Sequence, residues 1–373
     1  MNRKQFLRTV VFGSTAISLP FSLYKPKHPN LNILVLGGTG FVGPAIVREL
    51  IKNGHQVTLF NRGKTDPNLF PGIELLKGNR YPERGKGLSA LKTNRTWDAV
   101  VDTWAQEPGC VNATCKLLSN RVKSYVYISS IATYSNYRKV GITEQDNLVN
   151  AQEYVESFDS ELGYSLRKRA SEQAVENIFD SQGIILRCSS ILGYDGGKKD
   201  PTSQSAAAYW GFRFLFNTPV LVPDDSSAVM QYIDVKNIAK FLNTSVELNL
   251  SGPFNLVGPE EPLSLLHFLE TFNKKSYTSS EIIKISPNFL NRQKVRPFVD
   301  IPFWIPIEDD PEPGFYQISN KRALNNGLTY RSLSNTINDI FTSLRDQSPD
   351  SVSTGLNRTQ EIELIEMWKE FNE

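Results

Sequence analysis

Three glycines set between a strand and a helix constrain this chain more than any other feature. Ile33-Leu34-Val35-Leu36 has the pattern of a short buried strand, and Gly37-Gly38-Thr39-Gly40-Phe41-Val42-Gly43 follows at once. Apolar residues then recur at helical spacing between Phe41 and Lys52 (Phe41, Val42, Ala45, Ile46, Leu50 and Ile51). Glycine at 37 allows the tight turn, at 40 it lets a pyrophosphate approach the backbone, and at 43 it lets helix and strand pack closely. The helix N-terminus adds N–H donors and the positive end of its dipole. The candidate dinucleotide-binding set is therefore Gly37, Thr39, Gly40, Phe41, Val42 and Gly43.

The rest of the chain extends this strand–turn–helix unit. Gln56 to Phe60 reads as a second strand closed by Asn61-Arg62-Gly63, and further strands are expected at 73–76, 99–102, 124–128 and 183–186. Helices fall between several of them, one spanning 162–179. This alternation predicts an α/β chain, a Rossmann doubly wound parallel sheet with a smaller C-terminal substrate lobe. After Arg187 the rhythm breaks, Pro, Gly and aromatic residues become frequent, and short strands are expected at 220–222 and 254–257. The expected organisation is an export signal and linker at 1–30, a dinucleotide-binding domain at 31–190, an interleaved substrate lobe without an independent core at 191–345, and a tail at 346–373. An amphipathic helix over 359–371 is expected to dock on the body.

Composition removes several function classes. Lys+Arg 41 against Asp+Glu 39 leaves a net charge of +2, with no nucleic-acid footprint. No run offers the roughly 18 apolar residues of a membrane span. The three cysteines include no CxxC, and His28, His55 and His267 are scattered, so no metal site is expected. No GxSxG precedes a helix, which leaves a hydrolytic triad without support. At the N-terminus, Arg3, Lys4 and Arg8 precede an apolar-leaning stretch to Leu23, the anatomy of an export signal. The string Asn2-Arg3-Lys4-Gln5-Phe6-Leu7-Arg8 resembles the twin-arginine motif, with Lys4 in place of the second arginine. Export, to a periplasm, is the expectation; the alternative is an N-terminal extension on a cytoplasmic protein.

Two further motifs bear on chemistry. A ribose-binding acid is expected at the end of the second strand, where this chain has Asn61 and Arg62. An asparagine still bonds a hydroxyl, no carboxylate there repels a 2′-phosphate, and a guanidinium holds one, so NADP is favoured over NAD. Asn79, in Gly78-Asn79-Arg80, belongs to an adenine-side loop. Tyr164-Ser165-Leu166-Arg167-Lys168 opens a long helical run, and residues four apart share a helix face. Lys168 beside Tyr164 would favour the phenolate and lower its pKa. Tyr194/Lys198 and Tyr232/Lys236 repeat the spacing, the first in a loop and the second on a strand ending at Asp234, an expected helix cap. Ser129 and Ser130 end the strand before Tyr134 and offer a hydroxyl to a substrate oxygen that changes charge.

Together these motifs resemble the extended short-chain dehydrogenases/reductases, the NAD-dependent epimerase/dehydratase group, over about residues 32–345. The resemblance rests on Gly37-x-x-Gly40-x-x-Gly43, the Ser-Ser strand end, Tyr164-x-x-x-Lys168 and Gln231-Tyr232-Ile233-Asp234-Val235. It implies catalysis by Ser130, Tyr164 and Lys168, and selects Ser130 over Ser129. The chain departs from the family pattern at Asn61, at Arg187-Cys188-Ser189 in place of Arg-Pro-Gly, and at Ile131-Ala132 in place of the Asp-Glu pair of dehydratases. The last departure disfavours elimination of water.

The expected function is an NAD(P)-dependent oxidoreductase or epimerase acting on a carbinol or carbonyl of a sugar-like small molecule. The alternative is a non-catalytic dinucleotide-binding protein of redox-sensing or RNA-binding type. No nucleic-acid partner is expected, and a homodimer is left open. Tyr209 to Phe216 reads either as a substrate wall or as a packed amphipathic helix, and Phe303-Trp304 either as a lid or as a surface loop. Cys110 and Cys115 are candidates for pairing after export.

Overall fold

Ile33, Leu34, Val35 and Leu36 are at most 2 % exposed, as a central strand covered on both faces requires. Side chains alternate across a strand, so Ile33 and Val35 enter one hydrophobic cluster and Leu34 and Leu36 another on the opposite face. In this computed structural model the described residues are 30–151, 163–197, 205–306, 312–345 and 347–372. The expected export segment up to residue 29 lies outside them.

The dinucleotide-type half runs β1 (Asn32–Leu36), α1 (Gly43–Lys52), β2 (Gln56–Asn61), β3 (Glu74–Lys77), β4 (Trp97–Asp102), α2 (Pro108–Leu118), β5 (Val122–Ser130), α3 (Tyr164–Phe179) and β6 (Gly183–Cys188). The chain continues through β7 (Ser190–Leu192), α4 (Ser205–Leu215), β8 (Val220–Pro223), β9 (Val229–Asp234), α5 (Val235–Glu247), β10 (Gly252–Leu256), β11 (Gly258–Ser264), α6 (Leu265–Lys275) and β12 (Ile282–Ile285). Helices α7 (Pro287–Arg292), α8 (Lys321–Asn325), α9 (Leu333–Leu344) and α10 (Arg358–Asn372) complete it.

Seven parallel strands form the main sheet in the order β10-β6-β5-β4-β1-β2-β3. The chain winds outward in both directions from β1, so a crevice opens between the carboxyl ends of β1 and β4, where α/β sheets bind ligands. Helices α1 and α5 cover one face through Ile46, Leu50, Ile238 and Leu242; α2 and α3 cover the other through Val111, Cys115, Ala174 and Val175. The strand expected at 254–257 joins this sheet beside β6 instead of the lobe.

The lobe differs from expectation in having a hydrophobic cluster of its own. Trp210 and Phe214 are fully buried on α4 and stack within it, so the aromatic run from Tyr209 is packing, not a substrate wall. Phe303 and Trp304 are buried in the same cluster, and Trp304 Nε1 donates to Asp225 Oδ2 at 3.0 Å; they form neither lid nor surface loop. The tail helix α10 adds Leu364 and Ile365, and its buried Glu361 receives Arg213 and Arg358, each at 2.7 Å. Cys110 and Cys115 are free thiols buried on α2, and no disulfide joins them. Asp234 caps α5, its carboxylate accepting from Lys236 N at 2.7 Å. No helix among the described residues is long and apolar enough to cross a membrane.

Candidate active site

The crevice at the β1/β4 switch point is a cleft of about 980 Å³ bordered by the glycine loop, the ends of β2 to β6, and two phenylalanines from the lobe. Its volume lies in the range of small-molecule and cofactor sites. At Gly43 a Cβ would stand 2.7 Å from Gly38 Cα, so the first turn of α1 lies against the loop as only glycine permits. At Gly40, which borders the cleft, nothing lies within 4 Å of the corresponding position. No side chain caps α1, leaving its first amides to a ligand. Thr39, Phe41 and Val42 also line the cleft. An open glycine over an uncapped helix N-terminus fits a pyrophosphate.

The β2–β3 end of the cleft is cationic. Asn61 Nδ2 donates to Gly37 O at 2.8 Å and its Oδ1 accepts from Gly63 N at 2.7 Å, so this side chain ties the two loops together as well as bordering the cleft. Arg62 is exposed beside it, and Lys64, Arg80 and Arg84 complete the basic lining. Among the described residues lining the cleft there is no carboxylate. Asn79 is present too, with Oδ1 accepting from Tyr81 N at 3.1 Å. Arg80 makes two bonds to Asp102, at 2.6 and 2.7 Å, and a third to Thr114 at 2.9 Å. Asp102 also receives Tyr125 at 2.6 Å and Trp104 N at 2.9 Å. This buried cluster braces the ends of β3 and β4.

At the other end, β5 delivers two serines with different fates. Ser129 Oγ donates to the buried Glu172 at 2.6 Å; the same carboxylate receives Arg187 Nε at 3.0 Å and Nη2 at 2.9 Å. Ser130 Oγ accepts from Ala132 N at 3.2 Å, starting the short turn Ile131–Thr133, and lies near enough to the Tyr164 phenol to favour its ionised form. Tyr164 opens α3, is 47 % exposed and lines the cleft. Burial around the hydroxyl raises the phenol above its ordinary value, against the pull of Ser130 and Arg167.

Lys168, one turn on, is 3 % exposed. Its Nζ donates to Ile128 O at 2.6 Å and Trp104 O at 3.3 Å, and lies 4.8 Å from the Tyr127 ring centre. Burial lowers it to about 8, although Cys188, Asp102 and Glu172 act the other way. The expected depression of the Tyr164 pKa by Lys168 is therefore not found: the lysine is directed to two main-chain carbonyls, and the cation acting on the phenol is Arg167.

Among the described residues of the three Tyr-x-x-x-Lys pairs, only Tyr164 and Lys168 line the cleft. Tyr194 donates to Gly197 O at 3.4 Å, and Lys198 lies outside the described residues. Tyr232 packs in the lobe core, and Lys236 pairs with Asp339 at 2.9 Å.

Sequence reasoning missed three parts of this region: the Arg80–Asp102 brace, the Glu172–Arg187 pair, and the lobe side of the cleft. Phe298 and Phe315 close that side, ring centres 6.0 Å apart, with Trp104, Ile131, Ala132 and Ile191 nearby. Phe298 stands at φ +62° and is 45 % exposed. In the sequence it follows Arg296-Pro297 with no periodic pattern; its only signal is a large apolar residue five positions before Phe303.

Comparison with known proteins sets this geometry in context. The model of the NAD dependent epimerase/dehydratase family matches residues 33–116 and 94–257. The chain is similar to the chloroplast stem-loop binding protein of 41 kDa b of Arabidopsis thaliana, 26 % identical over 310 residues, covering 77 % of this chain and 75 % of that protein. It is also similar to the 2'-dehydrokanamycin reductase of Streptomyces kanamyceticus, 23 % identical over 214 residues and 56 % of each chain. Among solved structures, UDP-N-acetylglucosamine 4-epimerase from Bacillus cereus superposes with a TM-score of 0.59 at 17 % identity, covering 85 % of this chain and 98 % of that one. The Bordetella bronchiseptica enzyme WbmF in complex with NADH gives 0.59 at 16 % identity, covering 93 % and 97 %. At these identities the structural likeness is one of fold.

Proposed function

The chain belongs to the NAD dependent epimerase/dehydratase family, and from that premise we propose that it is an NAD(P)-dependent oxidoreductase or epimerase acting on a carbinol or carbonyl of a sugar-like molecule. The observation that carries the reading is the meeting, in one cleft, of an open glycine loop with Ser130, Tyr164 and Lys168. When bound, the nicotinamide supplies acceptance and return of a hydride.

The protein's own groups divide the remaining work. The glycine loop and the amides of α1 hold the pyrophosphate. Lys168, an ammonium with three donors of which two are engaged, offers its third to a ribose hydroxyl. Tyr164 moves the proton of the substrate hydroxyl at its phenol oxygen, and Ser130 donates to the same substrate oxygen as charge develops there. Ile131-Ala132 offers neither acid nor base, which supports redox or epimerisation chemistry over loss of water. NADP is the favoured cofactor, on the strength of Arg62 and the absence of a carboxylate among the described lining residues.

The test is to load the protein with cofactor, add candidate sugars, and follow the absorbance of reduced nicotinamide. The sugars are then recovered and their configuration analysed: a sugar-dependent change in nicotinamide, or conversion of a sugar to its epimer with the nicotinamide unchanged overall, supports the enzyme, whereas an inert cofactor with every sugar recovered unaltered contradicts it. A second reading, a dinucleotide-binding protein that acts on RNA without catalysis, is favoured by one observation, the likeness to a stem-loop binding protein over most of both chains. Its discriminating result would be inert nicotinamide together with tight binding of an RNA hairpin. We further propose that residues 1–30 export the protein folded. A fusion of that segment to a reporter tests this, and retention in the cytoplasm would refute it.

A further inference from the structure

Charge in the cleft is divided by the sheet. Arg62, Lys64 and Arg84 follow β2 or β3, on the glycine-loop side of the switch point, where Arg80 is already paired with the buried Asp102. On the side formed by β4 to β7 and the lobe, the one basic residue lining the cleft among the described residues is Lys168, which two main-chain carbonyls already hold. Arg187 is close in sequence to this wall but 1 % exposed and paired with Glu172. A diphosphate seated here would bring at least two negative charges to a wall whose described residues offer no free guanidinium or ammonium, and such groups are recognised through charge-assisted bonds.

What the wall does offer is aromatic faces and neutral hydroxyls. Phe298 and Phe315 meet edge to face, and Phe315 rests on Tyr137 with ring centres 4.8 Å apart. The loop carrying Phe298 is fixed by its own bonds: Phe298 N donates to Trp304 O at 2.8 Å, and Arg296 pairs with Asp300 at 2.7 Å. A half-exposed phenylalanine held at positive φ is a costly conformation that such bonds sustain. The same cleft is lined by Ser130, Tyr164 and Ser190, and by Ser189, whose Oγ is buried without a partner. Ser190 shares a hydrogen bond with Tyr316 at 3.2 Å.

We infer that the substrate is an uncharged ring bearing hydroxyl groups, a free or glycosidic sugar and not a nucleoside diphosphate sugar, with its C–H face against Phe298 and Phe315 and its hydroxyls toward the serines. The inference rests on the enzyme reading given above and names its substrate class. An aromatic face supplies apolar contact to the ring, and neutral donors and acceptors satisfy its hydroxyls without requiring compensation of charge.

Titration calorimetry of the full protein loaded with cofactor tests this, with methyl glycosides of common hexoses set against the matching UDP-hexoses. The glycosides should bind at least about tenfold more tightly than their UDP counterparts. Phe298→Leu should weaken the glycoside about three- to tenfold and Phe298→Trp should retain it, with cofactor affinity unchanged in both as a check on folding. A UDP-hexose binding as tightly as its glycoside, no glycoside binding at all, or indifference to Phe298→Leu would overturn the inference. Glycoside binding that depends on Phe298 but yields neither a change in the nicotinamide nor an oxidised or epimerised sugar would uphold it while refuting catalysis, so the two failures are distinguishable.

Discussion

Ser129 donates its hydroxyl to the buried Glu172 carboxylate at 2.6 Å, so of the two serines ending β5 only Ser130 keeps its hydroxyl at the Tyr164 end of the cleft. Ser129→Ala should therefore cost about 1.5–3 kcal/mol of stability, the scale of a hydrogen bond to a charged group, and leave turnover per folded molecule nearly unchanged. Ser130→Ala should do the reverse, lowering turnover by about 10²-fold at a cost of about 1 kcal/mol in stability. Denaturant titration beside steady-state rates separates the two, and a larger rate loss in Ser129→Ala would reverse the assignment.

Lys168 makes stability depend on alkaline pH. Its folded value is lowered to about 8 by burial, below the roughly 10.4 of an unfolded lysine. Between those values the unfolded chain binds more protons, so the contribution of Lys168 to stability is least favourable at neutral pH and rises as pH climbs through the window. Unfolding free energies of the wild type and Lys168→Met should accordingly diverge in favour of the wild type above pH about 8, by roughly 3 kcal/mol at most. A difference that stays flat across the window would contradict the burial argument.

Arg62 should decide cofactor choice. Arg62→Ala is expected to weaken NADP(H) binding by on the order of tenfold and to change NAD(H) binding by less than about twofold, because only the former offers a 2′-phosphate to the guanidinium. Titration calorimetry with both cofactors measures this. A wild-type preference for NAD(H) that survives the substitution would remove the claim.

The Arg80–Asp102 pair predicts a stability effect without a change in chemistry. Asp102→Ala leaves a buried guanidinium without its carboxylate and should cost about 3–5 kcal/mol. Arg80→Met combined with Asp102→Leu should recover part of that loss, since neither charge is then left alone. Equal destabilisation by the single and double variants would show that the pair acts through some other contact.

What the sequence disclosed and what it hid divide along contact range. The glycine loop with the strand before it, and the Tyr164 to Lys168 spacing, are each local patterns written within one short stretch of chain, and the structure places them as the pattern implies. Ser130 was separable from Ser129 only through family resemblance; its physical reason, the Glu172 carboxylate on another element, is 43 positions away. The lobe carries no comparable period. Phe298 and Trp304 are both large apolar residues in a proline-rich stretch, yet one borders the cleft and the other is buried beside Asp225, a distinction set by tertiary packing. Asn61 shows the same limit: as a strand-end residue it reads as a ribose ligand, whereas its amide also bonds Gly37 and Gly63 across the loop.

The most direct test of the central claim is the turnover of Tyr164→Phe on the sugar substrate, measured with the cofactor affinity of the same preparation. Removing only the phenol oxygen preserves the ring, so turnover should fall by about 10²- to 10⁴-fold while dinucleotide binding, which the glycine loop provides, stays unchanged. Full activity in Tyr164→Phe would contradict the assignment of the proton carrier.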